Sequence, residues 1–207
     1  SDGTPFVWDK YNPGDNLVRE FSAAELEADP ERNPYNGREP RFYASILFDG
    51  AKWQPRPSDA AGIDPTGLIQ TGYWLSANGN ETAGLDTRQG LIESWNGTKV
   101  GYYIKKYMDE STVGQYFNNE NAWIEFRYAE ALNMVRNRAG LPDRLTSDQA
   151  QAREWLRHER QIEFFGEGDR WYMIRKWMIA DDVIKNVHSM KVTHFSDGGV
   201  RWHYDTD

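Results

Sequence analysis

Apolar positions recur with a helical period most clearly in the second half of the chain. Tyr128, Leu132, Val135 and Ala139 fall at i, i+4, i+7 and i+11, a stripe on one face of a helix that begins near Trp123. Gly140 and Pro142 then supply stop signals. Thr146, with Gln149 three residues on, predicts a capping box for a second helix running towards Phe165, with Trp155, Ile162 and Phe165 facing a core. Gly166 and Gly168 interrupt that pattern, and Asp169 is expected to cap a third helix carrying Trp171, Ile174 and Trp177. The tail from His188 to Asp207 is polar and predicts no clear element.

Residues 1–120 behave differently. They are rich in Gly, Pro, Asn and Asp, and Asn12-Pro13-Gly14-Asp15, Asn33-Pro34-Tyr35-Asn36-Gly37 and Asn78-Gly79-Asn80 are turn signals. Ser22 with Glu25 predicts one short capped helix that ends by Asp29, before Pro30. Phe42–Phe48 and Val100–Tyr107 read as short strands. Ordered loops of the length left over are uncommon unless they carry function. The expected organisation is a loop-rich, ligand-facing region over 1–120 and a helical scaffold over 121–207, in a chain that is mainly α with long ordered loops and a few short strands.

Composition shifts attention to the rings. Hydrophobic residues make up 39% of the chain, yet aromatics alone reach 14%, with 9 Trp and 11 Tyr. Trp and Tyr carry a polar tip that suits wet surfaces, so the chain can be globular and still keep rings near solvent. A net charge of -8 without a Lys/Arg block argues against nucleic acid and anionic membrane surfaces. Absence of Cys excludes disulfides, thiolate metal sites and cysteine nucleophiles. His158, His188, His194 and His203 form no helical metal pair, and no GxSxG, Walker-A or GxGxxG pattern occurs. No metal, cofactor or catalytic residue is therefore assigned.

Two constellations compete for the chemistry. Glu159, Glu163 and Glu167 share one helix face, and a glycoside hydrolase would need such carboxylates free of Arg. Arg160, Arg170 and Arg175 are interleaved with them, which favours a structural ion-pair network of ionised groups. In the loop-rich half, Trp53, Tyr73, Trp74 and Trp95 each sit among Gly, Asn, Asp, Gln or Arg, the composition of a sugar platform. There a flat ring would stack on pyranose C–H groups while Asn78, Asp86 and Arg88 bond hydroxyls. Trp123, Trp155, Trp171 and Trp177 lie on expected helices and read as core.

Several segments resemble the SusD/RagB family of outer-membrane nutrient-uptake lipoproteins. They are Trp123–Ala131 (WIEFRYAEA), Leu132–Pro142 (LNMVRNRAGLP), Glu159–Trp177 (ERQIEFFGEGDRWYMIRKW), Asn33–Phe48 (NPYNGREPRFYASILF, with Glu39 where the family usually has Asp) and Gly101–Met108 (GYYIKKYM). The resemblance implies a non-enzymatic, cell-surface binding protein and the C-terminal part of an α-helical, tetratricopeptide-like fold. It implies delivery of an oligosaccharide, or in some branches a peptide, to a SusC-like TonB-dependent transporter. It also implies a lipid anchor and helical repeats lying outside this sequence. In the family, the pieces before and after Ala131 belong to two helices of a hairpin, so a junction across missing residues is expected near 129–132.

Overall fold

The computed structural model describes residues 17–53, 62–64, 66–90, 97–106, 108, 132–183 and 188–206. The chain folds into two compact units, and they do not follow a single cut in the sequence. One unit takes Arg38–Ser45 together with the described part of Ala122–Lys185; the other takes the described parts of Val7–Gly37, Ile46–Asn121 and Asn186–Asp207.

The first unit is helical. It contains α2 (Pro40–Ser45), α3 (Leu132–Arg138), α4 (Gln149–Glu163), α5 (Asp169–Lys176) and α6 (Ala180–Val183). Part of the expected strand at Phe42–Phe48 is thus a helical turn, which Pro40 opens from the first position, where its fixed φ and missing N–H cost nothing. Gly140, at φ 71°, ends α3, and the Leu141 N–H closes on the Arg136 carbonyl at 2.9 Å. Helix α4 is capped by Asp148, whose carboxylate accepts from the Ala150 N–H at 2.9 Å. Thr146 serves one step earlier, accepting from the Asp148 N–H at 3.0 Å, so the expected Thr146–Gln149 box is replaced by an Asp cap. At the start of α5 the cap is Gly168, in the left-handed region at φ 77°. Asp169 is the first helical residue, and its carboxylate meets Arg160 at 3.3 Å.

Apolar packing in this unit is sparse: Val135 and Phe164 form a buried pair, with Leu141 and Ile174 also buried. Trp155, Ile162 and Trp177 are half-buried. Phe165 and Trp171 were expected to face a core but are exposed, Trp171 by 57%; α4 turns Glu159 and Glu163 inward, and α5 buries Ile174. Trp123 and the 129–131 stretch lie outside the described residues.

The second unit is built on a sheet. Its strands are β1 (Leu17–Phe21), β2 (Ile46–Leu47), β3 (Tyr73–Leu75), β4 (Glu81–Ala83), β5 (Tyr103–Ile104), β6 (His188–Phe195) and β7 (Val200–Thr206). Five of them form one sheet in the order β1-β7-β6-β3-β4, with β3 parallel to β6 and the other pairs antiparallel. Strands β2 and β5 pair separately. The tail expected to lack structure therefore supplies the two longest strands. Its Asp197-Gly198 turn, with Gly198 at φ 84°, closes a hairpin through the Phe195 N–H to Gly199 carbonyl bond at 2.8 Å. Met190, Val192 and Trp202 are buried on one face of that hairpin, each stabilising by about 1.5–3 kcal/mol. Beside the sheet, Tyr35 stacks on Phe48 at 4.6 Å and meets Tyr102 edge-on at 6.1 Å. Helix α1 (Ala23–Ala28) carries the expected capping box, with Ser22 Oγ accepting from the Glu25 N–H at 3.3 Å and Glu25 accepting from the Ser22 N–H at 2.9 Å. Those bonds, the backbone one foremost, hold the Glu25 carboxyl below its ordinary pKa.

Helical residues outnumber strand residues among those described, in keeping with the mainly helical class expected, but the sheet is where the aromatic candidates are arranged.

Candidate functional site

The acidic candidates are structural. Glu159 is fully buried on α4 and Glu163 nearly so. Arg41, from α2, bonds Glu159 through Nη1 and Glu39 through Nη2 at 3.0 Å, and lies 3.9 Å from Glu163. Arg136, 1% exposed, bonds Glu159 at 3.4 Å and donates through Nε to the Pro142 carbonyl at 2.8 Å. Arg138 bonds Glu163. The expected network is present with different cations: the partners come from α2 and α3, not from the interleaved Arg160, Arg170 and Arg175. Burial opposes the charge on Arg41, but its bonds to Glu39 and Glu159 outweigh that and hold its pKa above the ordinary arginine value. His158 lies in the same electrostatic setting, where burial first and Arg144 second push its pKa below that of a free imidazole. Buried carboxylates bonded to guanidinium groups on other helices fix how those helices meet, which is a scaffold's role. Among the described residues no group of three or more His, Cys, Asp or Glu could hold a metal ion.

The sheet unit arranges the aromatic candidates. Successive residues of a strand point to opposite faces, so Tyr73 and Trp74, adjacent in sequence, do not form one platform. Tyr73 is half-buried beneath Lys191, whose Nζ lies 4.6 Å from the ring centroid and bonds Glu81 at 3.1 Å. Trp74 is 39% exposed on the other face, and its indole stacks on His194 at 4.7 Å and 21°. In the register, Trp74 pairs with His194 on β6 and with Thr82 on β4. One flank of the ring is thus covered by the imidazole, while the flank toward β4 carries the exposed Thr82.

The support behind Trp74 is specific. His194 Nε2 donates to Asp49 Oδ2 at 2.6 Å, and the buried Asp49 accepts from the Gly72 N–H through Oδ1 at 2.6 Å. A Cβ on Gly72 would come within 2.9 Å of His194 Nε2, and one on Gly84 within 2.8 Å of Trp74 Cζ3 and 2.3 Å of the Gln70 carbonyl oxygen. Only glycine at those two positions lets the rings lie where they do.

The other candidates are distributed. Trp53 is half-buried with Lys105 Nζ 5.6 Å from its ring centroid. Asn78 accepts from Ser76 Oγ at 2.5 Å, which fastens the β3–β4 turn. Asp86 accepts from the Gln70 N–H at 2.8 Å, and its carbonyl accepts from the Tyr103 hydroxyl at 2.6 Å, so it ties loops together. Arg88 is exposed on the turn that follows. Trp95 lies outside the described residues. Sequence reading passed over His194, Asp49, Thr82 and Gly84. The alternation of Met190 and Val192 around Lys191 and the Asp197-Gly198 turn could have revealed β6, but its pairing with β3 has no local signal.

Among the described residues the buried Glu159 and Glu163 are bonded to arginines, and the sheet unit carries an exposed indole, a combination that suits ligand binding. The SusD family model matches residues 2–132 and 130–195, and the chain belongs to the SusD family. Members of that family are non-catalytic proteins of nutrient binding and uptake. The two matched segments overlap at residues 130–132. Among solved structures the chain is similar to a SusD-like protein from Bacteroides fragilis NCTC 9343, with 27% identity and a TM-score of 0.65. The match covers 100% of this chain and 38% of that one, so the chain spans well under half the length of its structural relative. No curated protein matches it.

Proposed function

We propose that this chain is part of a cell-surface protein of the bacterial outer membrane that binds an oligosaccharide and delivers it to a SusC-like TonB-dependent transporter. The observation that carries the reading is Trp74, an indole 39% exposed, stacked on His194 and in register with the exposed Thr82. A ring fixed in this way offers a pyranose an apolar stacking surface without the cost of ordering a loose side chain. The Thr82 hydroxyl, in register beside it, supplies a donor and an acceptor for a sugar hydroxyl. Trp53 is a second, weaker candidate because an ammonium already faces its ring. Among the described residues no helix is long and apolar enough to cross a membrane.

The test is native mass spectrometry of the intact protein with a mixed panel of neutral oligosaccharides and of peptides. Retained, uncleaved glycan supports the reading. Retained peptide in its place makes this a peptide-binding family member, and shortened glycan products make it a hydrolase.

A further inference from the structure

We infer that His194, held by Asp49, is a positioning residue that sets the angle of the Trp74 ring and thereby the affinity for ligand. The inference rests on the glycan-platform reading for its consequence, but its structural half stands on contacts alone. Strand β3 has three residues, and Trp74 projects from its centre beside the short β4. Its in-register neighbours are Thr82, which is exposed, and His194, and its Cζ3 lies against Gly84. The stack on His194 at 4.7 Å and 21° is what defines one side of the ring.

An imidazole can serve as such a backing only if it is itself fixed. Asp49 does this. Its carboxylate oxygens can only accept, so the His194 Nε2 carries the proton of the 2.6 Å bond, and the second oxygen is anchored by the Gly72 N–H. Asp49 lies just after β2 and is buried, whereas the His194 side chain is 27% exposed. The chain of contacts therefore runs from a buried carboxylate, through a half-buried imidazole, to an exposed indole. Gly72 and Gly84 leave the space that this arrangement requires. Neither Asp49 nor the shielded face of His194 needs to touch ligand for this to work.

His194→Gln separates positioning from structure, because the Gln amide still donates to Asp49 while the ring is lost. Asp49→Asn is the second variant; it keeps the imidazole and weakens its anchor. Each is made in the intact protein. The Trp74 contribution to the near-ultraviolet circular dichroism, taken as the difference from Trp74→Phe, is measured without ligand. Binding is measured with maltohexaose, cellohexaose, xylohexaose and mannohexaose. The inference predicts that His194→Gln erases the Trp74 near-ultraviolet signal, leaves the far-ultraviolet spectrum intact, and weakens binding of the retained sugar about threefold to tenfold. Asp49→Asn is predicted to reduce both in the same direction. A His194→Gln protein that keeps the signal and the affinity overturns the inference; if that variant does not fold, an unchanged Asp49→Asn protein overturns it. Loss of the signal together with unaltered sugar binding in Trp74→Ala refutes the platform reading instead and leaves the clamp standing.

Discussion

In the helical unit the most deeply buried side chains are Glu159 and Arg136, both charged; in the sheet unit they include Val192 and Trp202, while another indole, Trp74, stands at the surface. The two regions thus place polarity in opposite ways. Around α4 few described apolar residues are buried, and guanidinium–carboxylate contacts join Glu159 and Glu163 to Arg41 and Arg136 inside and to the exposed Arg138 at the edge. Such a network specifies which helices meet at what register, and it engages both Glu159 and Glu163. The sheet buries Met190, Val192 and Trp202 on one face of its hairpin, and along that same face, in register with His194, Trp74 emerges to 39% exposure. Acidic residues in a helix and tryptophans in a loop looked like rival functional signals; the contacts of Glu159 and Glu163 assign the first to scaffold, and we propose recognition for Trp74.

The largest effect that would break this comparison comes from the scaffold. Glu159→Ala leaves Arg136 buried without its carboxylate and is expected to cost about 3–5 kcal/mol, read as a fall in the denaturant midpoint at constant slope. Gly84→Ala joins the two properties in the sheet unit. Its Cβ would press on the Gln70 carbonyl and on Trp74, so a loss of about 1–3 kcal/mol should come with weakened sugar binding. A smaller effect, in the helical unit, is a pH dependence. His158 has its pKa lowered by burial and by Arg144, against the opposing pull of Glu159 and Glu39. The unfolded state then binds more protons than the native state just below the ordinary imidazole pKa of about 6.5, so stability falls as pH drops through that range. His158→Gln should flatten that slope in unfolding curves recorded across pH. The smallest expected change is Ser22→Ala, which removes the capping box of an exposed six-residue helix and should be visible as faster amide exchange over Ala23–Ala28.

Local signals in the sequence were legible and distant ones were not. The Ser22–Glu25 box is complete within four residues, and the structure contains it. Phe42–Phe48 looked like a strand because aromatics dominate it, yet Pro40 two residues earlier is a helix-start residue, and pairing survives only at Ile46–Leu47. Glu159 was matched with Arg160, Arg170 and Arg175, near it in sequence, while the cations that meet it, Arg41 and Arg136, lie 118 and 23 residues away on α2 and α3. The tail hid its strands because Lys191 and His194 dilute an alternation whose apolar members, Met190 and Val192, do face inward. The aromatic cluster was read as one group, and the alternation of a three-residue strand separates Tyr73 from Trp74. Nothing near Trp74 in sequence announces His194, because a parallel pair brings the two together over more than a hundred residues.

The measurement that bears most directly on the central claim is isothermal titration of the intact protein and its Trp74→Ala variant with whichever oligosaccharide the wild type retains. The account predicts binding weakened at least about tenfold in the variant, with a Tm close to that of the wild type because the ring is exposed. Equal affinity in the two proteins would contradict it and place ligand recognition away from the β3–β4–β6 surface.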